Sequence, residues 1–205
     1  MKKYLVLLAA ILSAIGCNNS NTPSAGKIKA ESDSAKQVVV SNTIPAGSIF
    51  MLPDTFQTQH ANNFVLSYLA GKPTVLGMIF TNCGYACPRL TSDMKNIANK
   101  LKGNRQKVNF ILVSFDSQRD TAAQLFKFAK QMGLDPDWIL LHGNEQTVRT
   151  LSVLLNVQFE KDAEGNFSHS NLITVLDKNG SLKFQKEGLE ADHTETISKI
   201  NELIN

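Results

Sequence analysis

TVLGMIFTNCGYACPRL, residues 74–90, decides how this chain folds. Thr74 to Phe80 is an almost unbroken apolar run, the pattern of a strand buried on both faces of a parallel or mixed sheet. It runs directly into a turn carrying Cys83 and Cys87. Beyond Pro88, the residues Leu90, Met94, Ile97, Ala98 and Leu101 recur at helical spacing, and Gly103-Asn104 stops the helix. Strand, cysteine turn and helix therefore follow one another without a gap.

The same rhythm continues downstream. Val108 to Phe115 reads as a second buried strand, Asp120-Thr121 as the cap of a helix through Leu125, Phe126, Ala129 and Met132, and Trp138 to Leu141 as a third strand. Glu145 to Leu155 is a further helix, so the segment is built of βαβ units. Asn171 to Leu176 and Ser181 to Gln185 flank Asp177-Lys178-Asn179-Gly180, whose Asn-Gly is a strong hairpin signal, and Thr194 to Ile204 closes the chain as a helix. A parallel unit, an antiparallel hairpin and a closing helix give an α/β class and the order of a thioredoxin-like fold. Its central mixed sheet is flanked by helices, with an N-terminal extension and insertions.

With 205 residues, 42% hydrophobic, the chain suffices for one domain with a substantial core and is short for two. The net charge of +3 is small, and past Lys2 and Lys3 the basic residues alternate with acids. No run of cations tracks a phosphate backbone, so nucleic acid is not an expected partner.

Residues 1–17, MKKYLVLLAAILSAIGC, place two lysines before an apolar stretch that ends in Gly16-Cys17. This is a signal peptide, too short to span a bilayer. Its end resembles a bacterial lipobox, so Cys17 is the expected lipidation site and the domain is expected in the cell envelope, outside the cytoplasm. Residues 18–47, rich in Ser, Asn, Ala and Lys, read as a flexible tether, and residues 48–205 as the globular domain.

Of the three cysteines, the leader uses one, which leaves Cys83 and Cys87 in the exported domain. Two cysteines four apart in an oxidising compartment form a disulfide, a metal site, or both in turn. At a helix start their sulfurs fall one turn apart on one face, and the unpaired amides there, with Arg89 nearby, favour the thiolate. The fold analogy supplies a third group. His169, in Ser168-His169-Ser170-Asn171 just before the hairpin strand, stands where thioredoxin-like oxidoreductases place a cis-proline facing their cysteines. Two sulfurs and an imidazole suit Cu(I), and the imidazole makes the set tolerable to Cu(II). Zinc in a closed structural site asks for a fourth ligand, and His60, His142 and His193 lie in loop or helix-boundary segments.

Phe80-Thr81-Asn82-Cys83-Gly84-Tyr85-Ala86-Cys87-Pro88, Ser114-Phe115-Asp116-Ser117-Gln118-Arg119-Asp120-Thr121, Trp138 and His169-Ser170 together resemble the SCO/SenC proteins, membrane-tethered copper carriers of thioredoxin fold. The resemblance runs from about Phe64 to the C-terminus. It departs from the family pattern at Gly84 and Ser117, each standing where the family usually has proline. It implies one copper ion held by Cys83, Cys87 and His169, with Asp116 as an acid close to the metal. The implied role is delivery of copper to, or assistance in building, the CuA centre of cytochrome c oxidase. The implied partners are oxidase subunit II or another copper enzyme, and an upstream copper donor or thiol reductant. Two other roles fit the same residues: a thiol-disulfide reductase in which Cys83 and Cys87 are the catalytic pair that keeps oxidase cysteines reduced, and a copper or redox sensor.

Overall fold

The computed structural model describes residues 44–187 and 189–205. The leader, Cys17 and most of the expected tether lie outside the described residues. Ile44 already packs against the core, and Ser48 caps a 3-10 turn over Ile49–Met51 by accepting from the Phe50 amide. Packing against the core thus already includes a residue before position 48.

Three parallel strands form the centre, as the apolar runs require: β3 (Thr74–Ile79), β4 (Asn109–Ser114) and β5 (Ile139–His142). They belong to a seven-stranded sheet of order β2-β1-β5-β4-β3-β8-β9, in which β1 (Thr55–Thr58), β2 (Asn63–Val65), β8 (Leu172–Leu176) and β9 (Leu182–Glu187) pair antiparallel. Every residue of β3 is buried, because β4 and β8 pair with its two edges and α1 (Ala86–Lys100) crosses one face. Gly77 permits that crossing: a Cβ there would stand 2.8 Å from Met94 Sδ. Helices α2 (Ala122–Gln131) and α3 (Glu145–Leu154) follow β4 and β5, and α4 (Thr194–Ile204) packs on α1, β8 and β9. The expected βαβ units, Asn-Gly hairpin and closing helix are all present.

Two hairpins were not read from the sequence. In β1 only Phe56 and Thr58 are buried, a four-residue alternation too short to stand out. Its pairing with β5 is prolonged by a side chain: Gln59 donates to the Trp138 carbonyl at 2.7 Å and accepts from the Leu140 amide at 2.9 Å, as a peptide unit would. The second hairpin, β6 (Phe159–Lys161) and β7 (Phe167–His169), is a separate two-stranded sheet. Its turn is held by Asp162, which accepts from the Asn166 amide, and by Gly165 at φ +84°. This hairpin carries His169.

Candidate metal centre

Cys83 lies in the turn between β3 and α1, and Cys87 is the second residue of the helix. Tyr85, at the N-cap, offers no side-chain cap. Cys83 Sγ takes that role, accepting from the Cys87 amide at 3.4 Å. Burial raises its pKa, but the amides of Cys87, Tyr85 and Ala86 outweigh burial and bring the thiol below its ordinary value. The helix amides lead in this. Arg89 stacks on the Tyr85 ring at 3.6 Å and pairs with Glu190 at 2.9 Å.

Cys87 is the opposite case. Its side chain is wholly buried, and burial pushes the thiol far above its usual value despite a hydrogen bond from the Phe80 amide at 3.4 Å. The neighbouring Cys83 and Asp120 charges push it further the same way. One turn of chain therefore holds a partly exposed sulfur whose ionisation is favoured and an enclosed sulfur whose ionisation is opposed until a cation replaces its proton. Iodoacetamide is expected to modify Cys83 first, with a pH midpoint below that of a free thiol, as peptide mapping of the partly reacted protein will show. Preferential labelling of Cys87 would contradict this order.

His169 ends β7, 82 residues after Cys87, with its Nε2 at 3.7 Å from Cys87 Sγ. Its Nδ1 lies 3.1 Å from the Ser170 carbonyl, which only accepts, so Nδ1 carries the proton and the Nε2 lone pair faces the sulfur. Burial lowers the imidazole pKa, which keeps it neutral and able to ligate. The ring is wedged against Phe115 at 4.8 Å and Phe80 at 6.2 Å, and Phe159 and Phe167 complete an aromatic wall. No local pattern announces this wall, because its four phenylalanines come from separate segments.

The donors suit a soft ion. Cys87 Sγ and His169 Nε2, 3.7 Å apart, are close enough that both could reach one ion. Cys83 lies within reach of the Cys87 thiol, each altering the other's ionisation. Among the described residues no three His, Cys, Asp or Glu side chains are already drawn together as a ligand set. A sulfur that accepts an amide N–H keeps lone pairs for a metal, so the bond from the Cys87 amide does not bar Cys83 from joining.

Asp116, expected near the metal, is buried and paired with Arg119, whose guanidinium also donates to the Gly165 carbonyl. It thus ties β4 to the turn of the His169 hairpin. A second carboxylate, Asp120, acts on Cys87 through its charge. The Asp120-Thr121 cap is divided: Thr121 caps α2, accepting from the Gln124 amide, while Asp120 is buried and accepts from Thr81 and Ser114. His60 and His193 touch neither cysteine nor His169: His60 meets Phe126 edge-on and His193 faces Asp93. His142 ends β5 within the field of Asp120.

A mixed sheet whose strand–thiol turn–helix unit is faced by a residue just before the terminal hairpin is a thioredoxin-like fold. Here that residue is a histidine in contact with the buried thiol. Residues 45–205 match the SCO1/SenC family, and the chain belongs to it. A SCO1 protein homolog of Bacillus subtilis is 38% identical over 96 residues, 46% of this chain. That match spans half the length of the Bacillus protein. Bradyrhizobium japonicum ScoI, solved with copper bound, superposes with a TM-score of 0.64 at 22% identity over 73% of this chain and 96% of its own. A SCO1/SenC family lipoprotein from Bacillus anthracis gives 0.69 at 24% identity, over 74% and 93%. At these identities the two structures speak to the fold.

Proposed function

We propose that this protein binds one copper ion through Cys83, Cys87 and His169 and passes it to, or assists assembly of, the CuA centre of cytochrome c oxidase. The observation that carries the reading is the Nε2 lone pair of His169 directed at Cys87 Sγ across 3.7 Å. A reductase has no use for an imidazole ligand there, whereas a copper carrier does. The copper-bound Bradyrhizobium relative supports the same ion. We assign the chain to the cell envelope, held by lipid on Cys17. The leader ending in Gly16-Cys17 and the Bacillus anthracis lipoprotein relative support that anchor. Among the described residues no helix is long and apolar enough to cross a membrane.

When bound, copper supplies a one-electron redox centre and a cargo. The chain does the rest. Cys83, partly exposed, would meet an incoming ion, Cys87 would release its proton to solvent on binding it, and His169 would complete the set from a separate hairpin. A thiol–disulfide reductase is the second reading, favoured by the lowered pKa and partial exposure of Cys83.

The test is anaerobic copper titration of the reduced protein and its His169→Ala variant. Wild type is expected to bind about one ion, as a three-donor soft site does, and the variant to lose its Cu(II) spectrum. Unchanged affinity and spectrum in the variant would remove His169 from the site. Insulin reduction as fast as that by thioredoxin would favour the reductase.

A further inference from the structure

We propose that the end of the sheet opposite the cysteine turn is a membrane-facing surface, whose lysines rest on the anionic phospholipid headgroups of the bilayer that holds the lipid on Cys17; this rests on the envelope assignment above. Backbone contacts bring the parts together. The Ile49 amide donates to the Gly180 carbonyl at 3.1 Å, the Gly71 amide to the Lys178 carbonyl at 2.8 Å, and Lys72 Nζ to the Gln106 carbonyl at 3.0 Å. The turn between β8 and β9, the approach to β3 and the 3-10 segment Lys102–Lys107 before β4 therefore share one end of the sheet. Lys72, Lys102, Lys107 and Lys178 are exposed there, and none belongs to an ion pair among the described residues.

The acids at this end are mostly spoken for. Asp137 is paired with Arg105 at 3.0 Å and Asp177 with Lys183 at 3.2 Å. Glu202, next to the Asn201 that Asn104 reaches, is paired with Lys199 at 3.0 Å. That leaves Asp135, exposed before β5, against four lysines. The metal end is opposite in charge as well as in position. Strand β3, six residues long, sets it roughly 20 Å away at about 3.3 Å per residue. There Glu160, Asp162 and Glu164 on the His169 hairpin, with Lys161 among them, and Glu187 at the end of β9 are exposed.

A negative surface therefore attracts one end of the domain and repels the other. The chain supplies the proximity. Ser48 and Ile49, clasped to Asn179 and Gly180, put the start of the domain at the basic end. A coil as long as residues 18–43, which join Cys17 to Ile44, averages roughly 28 Å end to end. An anchored domain thus meets its own bilayer continually, and weak contacts suffice to orient it. Each lysine at an anionic surface strengthens the contact about fivefold. The consequence for the site is direction: the basic end rests on the headgroups, and the cysteine turn opens away from the bilayer toward a partner's exposed domain.

The experiment places the full chain, isolated from its membrane, in vesicles of phosphatidylcholine with or without phosphatidylglycerol, and reads acetylation of each lysine by mass spectrometry. Lys72, Lys102, Lys107 and Lys178 are expected to react about fivefold or more slowly on the anionic vesicles. The exposed Lys127 and Lys161 should not change, and high salt should abolish the difference. In the double variant Lys102→Ser/Lys107→Ser, Lys72 and Lys178 should return to their reactivity on neutral vesicles. Equal reactivity on the two vesicles, or slowing of all lysines alike, would overturn the proposal and leave the anchor standing. Slowing of the same four lysines by inorganic phosphate alone would overturn it too, in favour of an ion site. A chain without lipid on Cys17 would overturn the anchor, and its sedimentation with anionic vesicles then decides the surface. The same four slowed lysines would keep the membrane-facing end, and no sedimentation would remove it.

Discussion

Gly180→Ala is expected to destabilise the protein by roughly 3–5 kcal/mol, the sum of a strained backbone and an overpacked contact. Gly180 closes the turn between β8 and β9 at φ +81°, a conformation that L side chains rarely adopt. A Cβ there would stand 2.5 Å from both Phe50 Cγ and Ser48 Oγ. Phe50 is buried, and two contacts hold its segment against the turn: Ile49 N–H donates to the Gly180 carbonyl at 3.1 Å, and the Ser48 hydroxyl to the Asn179 carbonyl. The ring cannot retreat without breaking the clasp that fixes the start of the domain to the terminal hairpin. Chemical denaturation should show a lower midpoint with an unchanged slope. Gly84→Ala is the control: nothing lies within 4 Å of a Cβ there, and a change below about 1 kcal/mol is expected. Equal midpoints for the two variants would refute the clasp.

The second large effect concerns the two cysteines, which are not expected to be equivalent. Cys87→Ala should weaken Cu(I) binding by more than about a hundredfold, a loss larger than an outer-shell contact gives. Cys87 Sγ receives the Phe80 amide and lies against His169 Nε2, so its removal takes away the sulfur that the histidine faces. Cys83→Ala should leave Cys87 and His169 facing each other, and so retain a weaker two-donor site that still discriminates soft ions. Competition with a chromophoric Cu(I) chelator separates the two cases. Identical losses would mean that the two cysteines contribute alike to the site and would contradict this ranking.

Much of the molecule was legible in its residues. Thr74 to Phe80 and Val108 to Phe115 could be read as inner strands because buried parallel strands need apolar side chains on both faces. Turn chemistry in Asn179-Gly180 and helical periodicity in Leu90 to Leu101 are likewise local signals. The entry hairpin stayed hidden because its pairing depends on β5, including a glutamine side chain standing in for backbone, and no local pattern announces that.

The site divides in the same way. Residue types and spacing supplied two thiols at a helix start, and resemblance supplied His169. Asp116 and Asp120, four positions apart in one motif, could not be told apart from the sequence, and only the packing turns one toward Arg119 and the other toward Thr81 and Ser114. The sequence by itself determined the ingredients, because propensity, periodicity and ligand chemistry belong to individual residues and their near neighbours. Tertiary structure alone decided which thiol is enclosed, which carboxylate faces it and which imidazole nitrogen is free. Burial, electric field and hydrogen-bond partners arise from segments that meet only when the chain has folded.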